Sequence, residues 1–386
     1  MIENVLERFA KDPKYALPEI NGWFRTVYNI NPTTCRRIFG ATTSESAPAD
    51  ATPEEYAKLT AQNGMTKTTR SIRIDYELRF KNGRVSLPTM VARGADTTQK
   101  IDDYVETGKL FRVPHYKLQD SLRADDFRDR VPFNGGPGDL ETVERALAEK
   151  FEQGQWQFEE LWEYNFIMAV RGYVRNGLTD DRLDIYDAMG ATRKTIQVDF
   201  GTNNEKDPYH NILEALLWQR RSAGVTHGNR VALCSPEFYE TIRTNTIVRD
   251  AYRYQNSDFL KTLGLDGFRF YDIEWVLYPN GTDDGTTFHQ WIEPGAAYLV
   301  PLGIPQLFNE VFGPADYMET LHTSAQNMYA KYEIQKYARG LDLETQTNQI
   351  VHLTRPNAVV KMTTETMNEI SEHFIAPDPL TPKKRK

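Results

Sequence analysis

The sequence is poor in cysteine and lacks any long apolar run. Its 386 residues contain only Cys35 and Cys234, which excludes a disulfide framework and a cysteine zinc site. We expect both thiols to be small buried groups in a reducing cytoplasm. No stretch approaches the roughly 18 apolar residues of a transmembrane helix. The N-terminus also lacks the pattern of a signal peptide, so we expect no membrane partner.

Motifs for catalysis and cofactor binding are missing as well. The seven histidines are isolated, with no HExxH or HxH spacing that would gather metal ligands on one face. The sequence has no GxSxG, no GxxxxGK[ST] and no GxGxxG after a strand. Residues 135–138 are rich in glycine, but Asp139 puts a negative charge where a phosphate would bind. The sequence therefore predicts no catalytic residue, no metal site and no cofactor.

The sequence does have enough apolar residues for a large core, together with a negative charge. Hydrophobic residues make up 40% and aromatic residues 12% of the chain, which excludes wholesale disorder. The chain is longer than one core usually supports, so we expect two subdomains plus extensions. A net charge of −8 disfavours a nucleic-acid-binding enzyme. We interpret the basic residues 383–386 as part of a solvated tail.

Two segments are too polar or too extended to fold by themselves. Residues 1–64 contain scattered aromatics such as Trp23 and Phe24, followed by a stretch rich in Ala, Ser, Thr and Pro. Residues 84–118 have a polar middle, and two arms of about 15 residues each would reach roughly 50 Å. An isolated two-stranded ribbon is marginally stable in water, so each segment requires a partner surface.

Periodicity predicts the remaining elements. Apolar residues recur at helical spacing between 139 and 176, which predicts a helix of about 55 Å with a weak point at Gly154. Alternation over residues 71–80 predicts a half-buried strand. The other predicted elements are a strand at 192–200, a helix at 207–224 with Ile212, Leu213, Leu216 and Leu217 on its apolar face, a strand leading into a helix at 230–242, strands at 272–278 and 297–301, and an antiparallel sheet between Met328 and Met362.

The order of these parts resembles the major capsid protein E family of tailed bacteriophages. The likeness covers about residues 84 to 362. It is carried by RVSLPTMVARGA, QFEELWEYNFIMAVRGYVRNG, TRKTIQVDFGT, RVALCSPEFYETIRTNTIVRDAYR, DIEWVLYPNG, AAYLVPLG, the GPAD of residues 313–316, and QTNQIVHLTRPNAVVKM. Members of this family share the HK97-type capsid fold, so the resemblance implies an α+β protein.

The resemblance also implies a division of the chain. The parts would be an N-terminal arm (1–64), a peripheral domain (65–83, 119–207 and 310–372) with its spine helix at about 139–176 and an antiparallel sheet, an E-loop (84–118) over a neighbouring subunit, an axial domain (208–309), and a flexible C-terminal tail (373–386). The interface residues expected in the arm and the E-loop are Trp23, Phe24, Met90, Arg93, Lys100, Asp102 and Tyr104. Some members cross-link their shells through a lysine and an asparagine, but nothing marks Lys100 as reactive.

The implied function is structural. The chain would be a major capsid protein that forms hexamers and pentamers of an icosahedral virion head, assembled in the host bacterial cytoplasm around DNA that it does not bind sequence-specifically. Expected partners are further copies of the chain, a portal, a separate scaffold protein and, as another candidate, a decoration protein. The alternatives are an encapsulin-like nanocompartment shell protein and a soluble α+β enzyme.

Deletion of residues 88–112 should spare folding and abolish shell assembly.

Overall fold

The computed structural model combines a long helix with short helices and small sheets, which confirms the α+β class. It describes residues 35, 38–39, 66–71, 73–81, 104–123, 143–175, 177, 182–201, 203–223, 229–254, 267–283, 288–304, 307–320 and 323–364. The helices are α1 (Val143–Val170), α2 (Ile185–Met189), α3 (Tyr209–Ala223), α4 (Pro236–Thr244) and α5 (Thr246–Tyr254). Within these ranges, no helix has both the length and the apolar character that a membrane crossing requires.

The strands are short and belong to several separate sheets. In chain order they are β1 (Thr66–Thr68), β2 (Arg73–Lys81), β3 (Tyr104–Arg112), β4 (Tyr116–Arg123), β5 (Tyr173–Arg175), β6 (Arg182–Asp184), β7 (Lys194–Gln197), β8 (Arg230–Cys234), β9 (Gly267–Phe270), β10 (Ile273–Leu277), β11 (Gly281–Asp283), β12 (Phe288–Gln290), β13 (Ala296–Pro301), β14 (Phe308–Phe312), β15 (Tyr329–Ile334), β16 (Gly340–Thr347), β17 (Gln349–Leu353) and β18 (Val360–Thr363).

A six-stranded sheet in the order β7-β18-β13-β8-β10-β9 forms one half of the core. The side chains of Ile212 in α3, Phe238 in α4 and Trp275 in β10 are fully buried in the cluster beside it. Ser235 caps α4 by accepting a hydrogen bond from the backbone N of Phe238. The elements predicted between residues 192 and 301 are confirmed here, except that Leu217 on α3 is 43% exposed.

Helix α1 packs against two three-stranded sheets, β1-β14-β17 and β15-β16-β4. The Phe166 ring lies 5.5 Å from that of Phe308, and the Trp162 indole N–H donates to Thr347 Oγ1 over 3.1 Å. At Gly154, a Cβ would lie 3.3 Å from the side-chain oxygen of Thr345. The predicted weak point is therefore a close approach between helix and sheet, and the helix continues through it.

Helix α1 ends at Val170 and not at the predicted residue 176. Gly172 adopts φ +87° and turns the chain into β5, and a Cβ there would lie 2.3 Å from the Tyr186 ring. Only glycine fits such a position. Val174 is buried in β5, so its apolar character continued the helical pattern beyond the helix. The 28 residues of α1 span about 42 Å, and the predicted start at 139 lies outside the described residues.

The strands between Met328 and Met362 do not form the single antiparallel sheet that alternation predicted. β15 and β16 pair with each other, and β16 pairs with β4. β17 pairs with β14, whereas β18 lies between β13 and β7 in the six-stranded sheet. Alternation reports which face of a strand is buried but not which strand lies beside it. The prediction of one sheet was therefore wrong.

Candidate functional site: a two-stranded ribbon and the buried contacts behind it

β2 and β3 form a two-stranded ribbon, and among the described strands neither pairs with a third. Each strand has nine residues, and pairing runs without interruption from Arg73 opposite Arg112 to Lys81 opposite Tyr104. Such a ribbon is about 30 Å long. Its base is fixed because Phe111 is 1% exposed within the main core. A ribbon of two strands gains little stability in water, so a further surface is required to support it.

The ribbon begins earlier in the chain than the predicted E-loop, residues 84–118. Its first strand is β2, which the sequence pattern correctly predicted as a strand but which we placed in the peripheral domain. Its second strand is β3, and the end of the predicted loop already belongs to β4 in a three-stranded sheet. Residues 82–103 lie outside the described residues.

One predicted interface residue lies in this ribbon. Tyr104 is the first residue of β3 and stands opposite Lys81. The remaining predicted interface residues fall outside the part of the chain that the structure describes, and they are Trp23, Phe24, Met90, Arg93, Lys100 and Asp102.

Part of the predicted N-terminal arm packs into the core of its own subunit. The Phe39 ring lies 6.0 Å from that of Phe166, and Cys35 is fully buried. The backbone N of Cys35 donates to both carboxylate oxygens of Glu163, at 3.0 and 3.1 Å. The Tyr278 hydroxyl, just after β10, donates to the same carboxylate over 3.0 Å. A single buried glutamate in α1 therefore joins the N-terminal segment to the six-stranded sheet.

Both cysteines are free and buried, as predicted. Burial is the main cause that raises the pKa of the Cys35 thiol well above its ordinary value, and the Glu163 carboxylate raises it further. Burial alone raises the pKa of Cys234. Because the thiolate is the reactive form, both thiols should react slowly in the folded subunit.

Glu163→Gln should release the N-terminal segment. The amide nitrogen replaces one of the two oxygens that accept from the Cys35 N–H, so a donor faces that donor, and the negative charge that strengthens these hydrogen bonds is lost, at a cost of about 1–3 kcal/mol. We expect Cys35 to react with a thiol-specific disulfide reagent about tenfold faster in the variant, because local opening becomes more frequent. Cys234 is the control thiol, and its reaction rate is measured with and without Glu163→Gln in a Cys35→Ala background. Equal acceleration of both thiols would indicate global unfolding and contradict local release.

Arg171 and Glu293 form a buried ion pair between the end of α1 and the six-stranded sheet. The guanidinium of Arg171 donates to Glu293 Oε1 over 2.8 Å and to the carbonyl oxygen of Trp291 over 2.9 Å. The Tyr298 hydroxyl of β13 donates to the other carboxylate oxygen over 2.8 Å. Lys361 Nζ of β18 lies 3.4 Å from the carboxylate. The pair thus connects α1 to two strands of the sheet.

Burial and charge act in opposite directions on this pair. Burial would raise the pKa of Glu293, but Arg171 and Lys361 outweigh it and bring the pKa to about 2. Burial would lower the pKa of Arg171, but Glu293 and Tyr298 outweigh it and raise that pKa. Both groups therefore stay charged at neutral pH. The pair is a fixed structural connection and is unsuited to proton transfer near neutrality.

The space inside this part of the molecule is small. A cavity lined by Tyr164, Met168, Arg182 and neighbouring residues measures about 20 Å³, room for about one water molecule. A second depression, open to solvent beside α4 and lined by Tyr239, Arg243, Leu277 and neighbouring residues, measures about 340 Å³. In the described ranges, no group of three or more His, Cys, Asp or Glu side chains could hold a metal ion.

Comparison with known proteins gives consistent matches. A family model described as phage major capsid protein E matches residues 53–364. The major capsid protein of Pseudomonas phage KPP10 is 25% identical over 327 residues, covering 78% of this chain and 91% of that protein. The major capsid protein of Salmonella phage Felix O1 is 24% identical over 285 residues, covering 65% and 76%. The capsid protein of cyanophage Pam1 superposes with a TM-score of 0.48 at 11% identity, covering 76% and 84%.

Proposed function

The chain belongs to the phage major capsid protein E family, and we propose that its β2–β3 ribbon is the segment through which one subunit lies over the next in the shell. The protein is a major capsid protein, a structural subunit of the phage capsid. The family match confirms the resemblance described above and, with it, the HK97-type capsid fold. The encapsulin-like and enzymatic alternatives are disfavoured, because both curated relatives are phage major capsid proteins.

The ribbon is the observation that carries the proposed contact. It has nine continuous residue pairs, a base fixed by Phe111, and no third strand among the described residues. A surface on a neighbouring copy would supply the burial that an isolated ribbon lacks. Because every copy carries the same ribbon and the same receiving surface, the contact repeats around a closed ring.

The division into domains follows the sheets in this proposal. The axial domain is the six-stranded sheet with α3 and α4, and it takes in β7 and β18 in addition to the predicted residues 208–309. The peripheral domain is α1 with the two three-stranded sheets. The ion pair between Arg171 and Glu293 then lies at the boundary between them.

The assembled form we propose is an icosahedral head of hexamers and pentamers around DNA. The net charge of −8 supports enclosure of DNA without sequence-specific binding. The further partners in this proposal are a portal, a separate scaffold protein and a decoration protein. Assembly takes place in the host bacterial cytoplasm. The ribbon, which has no third strand among the described residues, supports contacts mainly between copies of the chain.

Expression of the full chain in a bacterium, alone and with the other head proteins of the same phage, tests the proposal. We expect closed particles of uniform diameter from the co-expression and incomplete or irregular assemblies from the chain alone. Size-exclusion chromatography followed by electron microscopy measures both. A small monodisperse oligomer under both conditions would contradict shell assembly, and uniform shells from the chain alone would contradict the separate scaffold protein.

A further inference from the structure

The turn between β15 and β16 carries an exposed aromatic ring on a strained backbone. Tyr337 adopts φ +67°, and its side chain is 78% exposed. Bulky side chains rarely adopt this left-handed conformation, whereas glycine and asparagine adopt it readily. A residue held in a strained conformation without burial indicates a requirement outside the fold of the isolated subunit.

Positive charge surrounds this ring. Lys336 Nζ lies 5.5 Å and Arg339 Cζ 5.6 Å from the centroid of the Tyr337 ring, and both residues are exposed. Ile334, which is 38% exposed, adds apolar surface beside the turn. We call residues 334–339 the basic tip. The turn itself presents an apolar and cationic surface, and the exposed carboxylates of Glu333 and Asp342 form the first register pair below it.

A surface of the opposite character lies at the other end of the same hairpin. Met318 is 85% exposed, and it stands between the exposed residues Asp316 and Glu319. The ring of Tyr317 lies 6.5 Å from that of Tyr329, the first residue of β15. The segment 316–319, which we call the acidic turn, is therefore about 20 Å along the hairpin from the basic tip.

We infer that the basic tip of one copy docks on the acidic turn of a second copy. This inference rests on the proposed function, because it requires copies of the chain to meet in a shell. The Tyr337 ring packs on the Met318 side chain, a favourable contact between sulfur and an aromatic ring. Lys336 and Arg339 then face Asp316 and Glu319, and this complementary charge fixes the orientation of the docked copy.

The position of the two surfaces determines how the contact propagates. Two different patches on one molecule make a heterologous contact, which generates a ring or a continuous array and not an isolated dimer. The Tyr337 ring stays exposed in an isolated subunit and is covered only when the next copy binds. The contact between copies is then the reason that this strained residue is kept. Glu319 also pairs with Lys331 of its own subunit over 3.0 Å, so Asp316 is the principal acid for the incoming cations.

Cysteine cross-linking of the full chain tests this contact. The variant Lys336→Cys with Met318→Cys keeps the Tyr337 ring and carries its new thiols on the two surfaces, while Cys35 and Cys234 are buried. Mild oxidation of assemblies isolated from bacteria expressing all head proteins should give a covalent ladder extending beyond dimers. The matched control joins Met318→Cys to Phe288→Cys, another exposed apolar position at 54% exposure. It should give at least about tenfold less multimer, because a disulfide forms only where Cα atoms lie within about 7 Å.

Substitution of Tyr337 gives a second, independent measurement. Tyr337→Gly relieves the backbone strain, so the Tm of the unassembled subunit should rise by about 1–3 °C. The yield of closed particles should fall at least about tenfold, because the docking ring is lost. Tyr337→Phe keeps the ring and should keep the particle yield.

Different results distinguish failure of this contact from failure of the capsid function. A ladder equal to that of the control, or no ladder in samples that contain closed particles, overturns the contact and leaves the capsid function intact. In a sample without closed particles, the presence or absence of the covalent ladder still tests the contact between the basic tip and the acidic turn. The missing particles count separately against the proposed shell assembly. An unchanged particle yield in Tyr337→Gly also overturns the contact.

Discussion

A subunit whose ribbon ends in a two-residue turn should fold normally and fail to assemble. The variant replaces residues 82–103 with Asn-Gly, joining Lys81 to Tyr104, which are paired residues in the ribbon. Asn-Gly favours the tight turn that matches the twist of two antiparallel strands. β2, β3 and the buried Phe111 remain intact. We expect the Tm of the subunit to change by no more than about 4 °C and closed particles to disappear from electron micrographs.

A second variant separates the reach of this segment from its chemistry. It replaces residues 82–103 with a Gly/Ser sequence of unchanged length, which keeps the reach but removes the side chains. Loss of particles in both variants would indicate that the side chains make the contact. Deletion of residues 88–112 is a poorer test, because it removes β3 and the buried Phe111 and so damages the fold. Closed particles from the Asn-Gly variant would contradict the prediction that the E-loop residues 84–103 contribute to the contact, and would confine that contact to β2 and β3.

Arg171→Met should be the most destabilising single substitution at the joint between α1 and the six-stranded sheet. It leaves the Glu293 carboxylate buried without its main partner, which typically costs about 3–5 kcal/mol. Adding Glu293→Gln removes the charge and keeps an acceptor for the Tyr298 hydroxyl, so at least half of the loss should be recovered. Urea unfolding of the wild type, both single variants and the double variant measures the coupling free energy. Additive losses would contradict a direct interaction.

The same variants should differ in their response to acid. The pKa of Glu293 in the folded subunit is about 2, below its ordinary value of 4.5. Its contribution to stability, on the order of 3 kcal/mol, is therefore fully present above the ordinary value and is lost as the pH falls towards 2. The free energy of unfolding of the wild type should thus fall more steeply below about pH 5 than that of the double variant. Equal slopes would contradict the depressed pKa.

The local elements of the six-stranded sheet could be predicted because burial there follows a regular period. Ile196, Val198 and Phe200 are all buried, as their alternation predicted. Ser235 followed by Pro236 marked the start of α4, since a cap and a proline in the first turn are local signals. The limits of prediction appear where a local pattern continues past an element, as at Val174.

The contacts that join the two halves of the subunit were not predicted. Arg171 and Glu293 are 122 positions apart, and Cys35 and Glu163 are 128 apart. No periodicity connects residues at such separations. Arg171 does stand alone within an apolar and aromatic run, MAVRGYV, and Glu163 and Glu293 each follow an aromatic or apolar pair, LW and WI. A lone charge in such a run indicates a buried ion pair or hydrogen bond, but it does not identify the partner.

The place of β18 in its sheet affects how the protein can be synthesised. β18 is close to the end of the described chain, yet it lies between β7 and β13 and joins β7 to the rest of the sheet. While residue 360 is still inside the ribosome, β7 and one edge of β13 have no partner strand. A product of premature termination before this point carries an open sheet edge, a surface prone to aggregation. We therefore expect shortened translation products to aggregate or to be degraded before they can enter the particle.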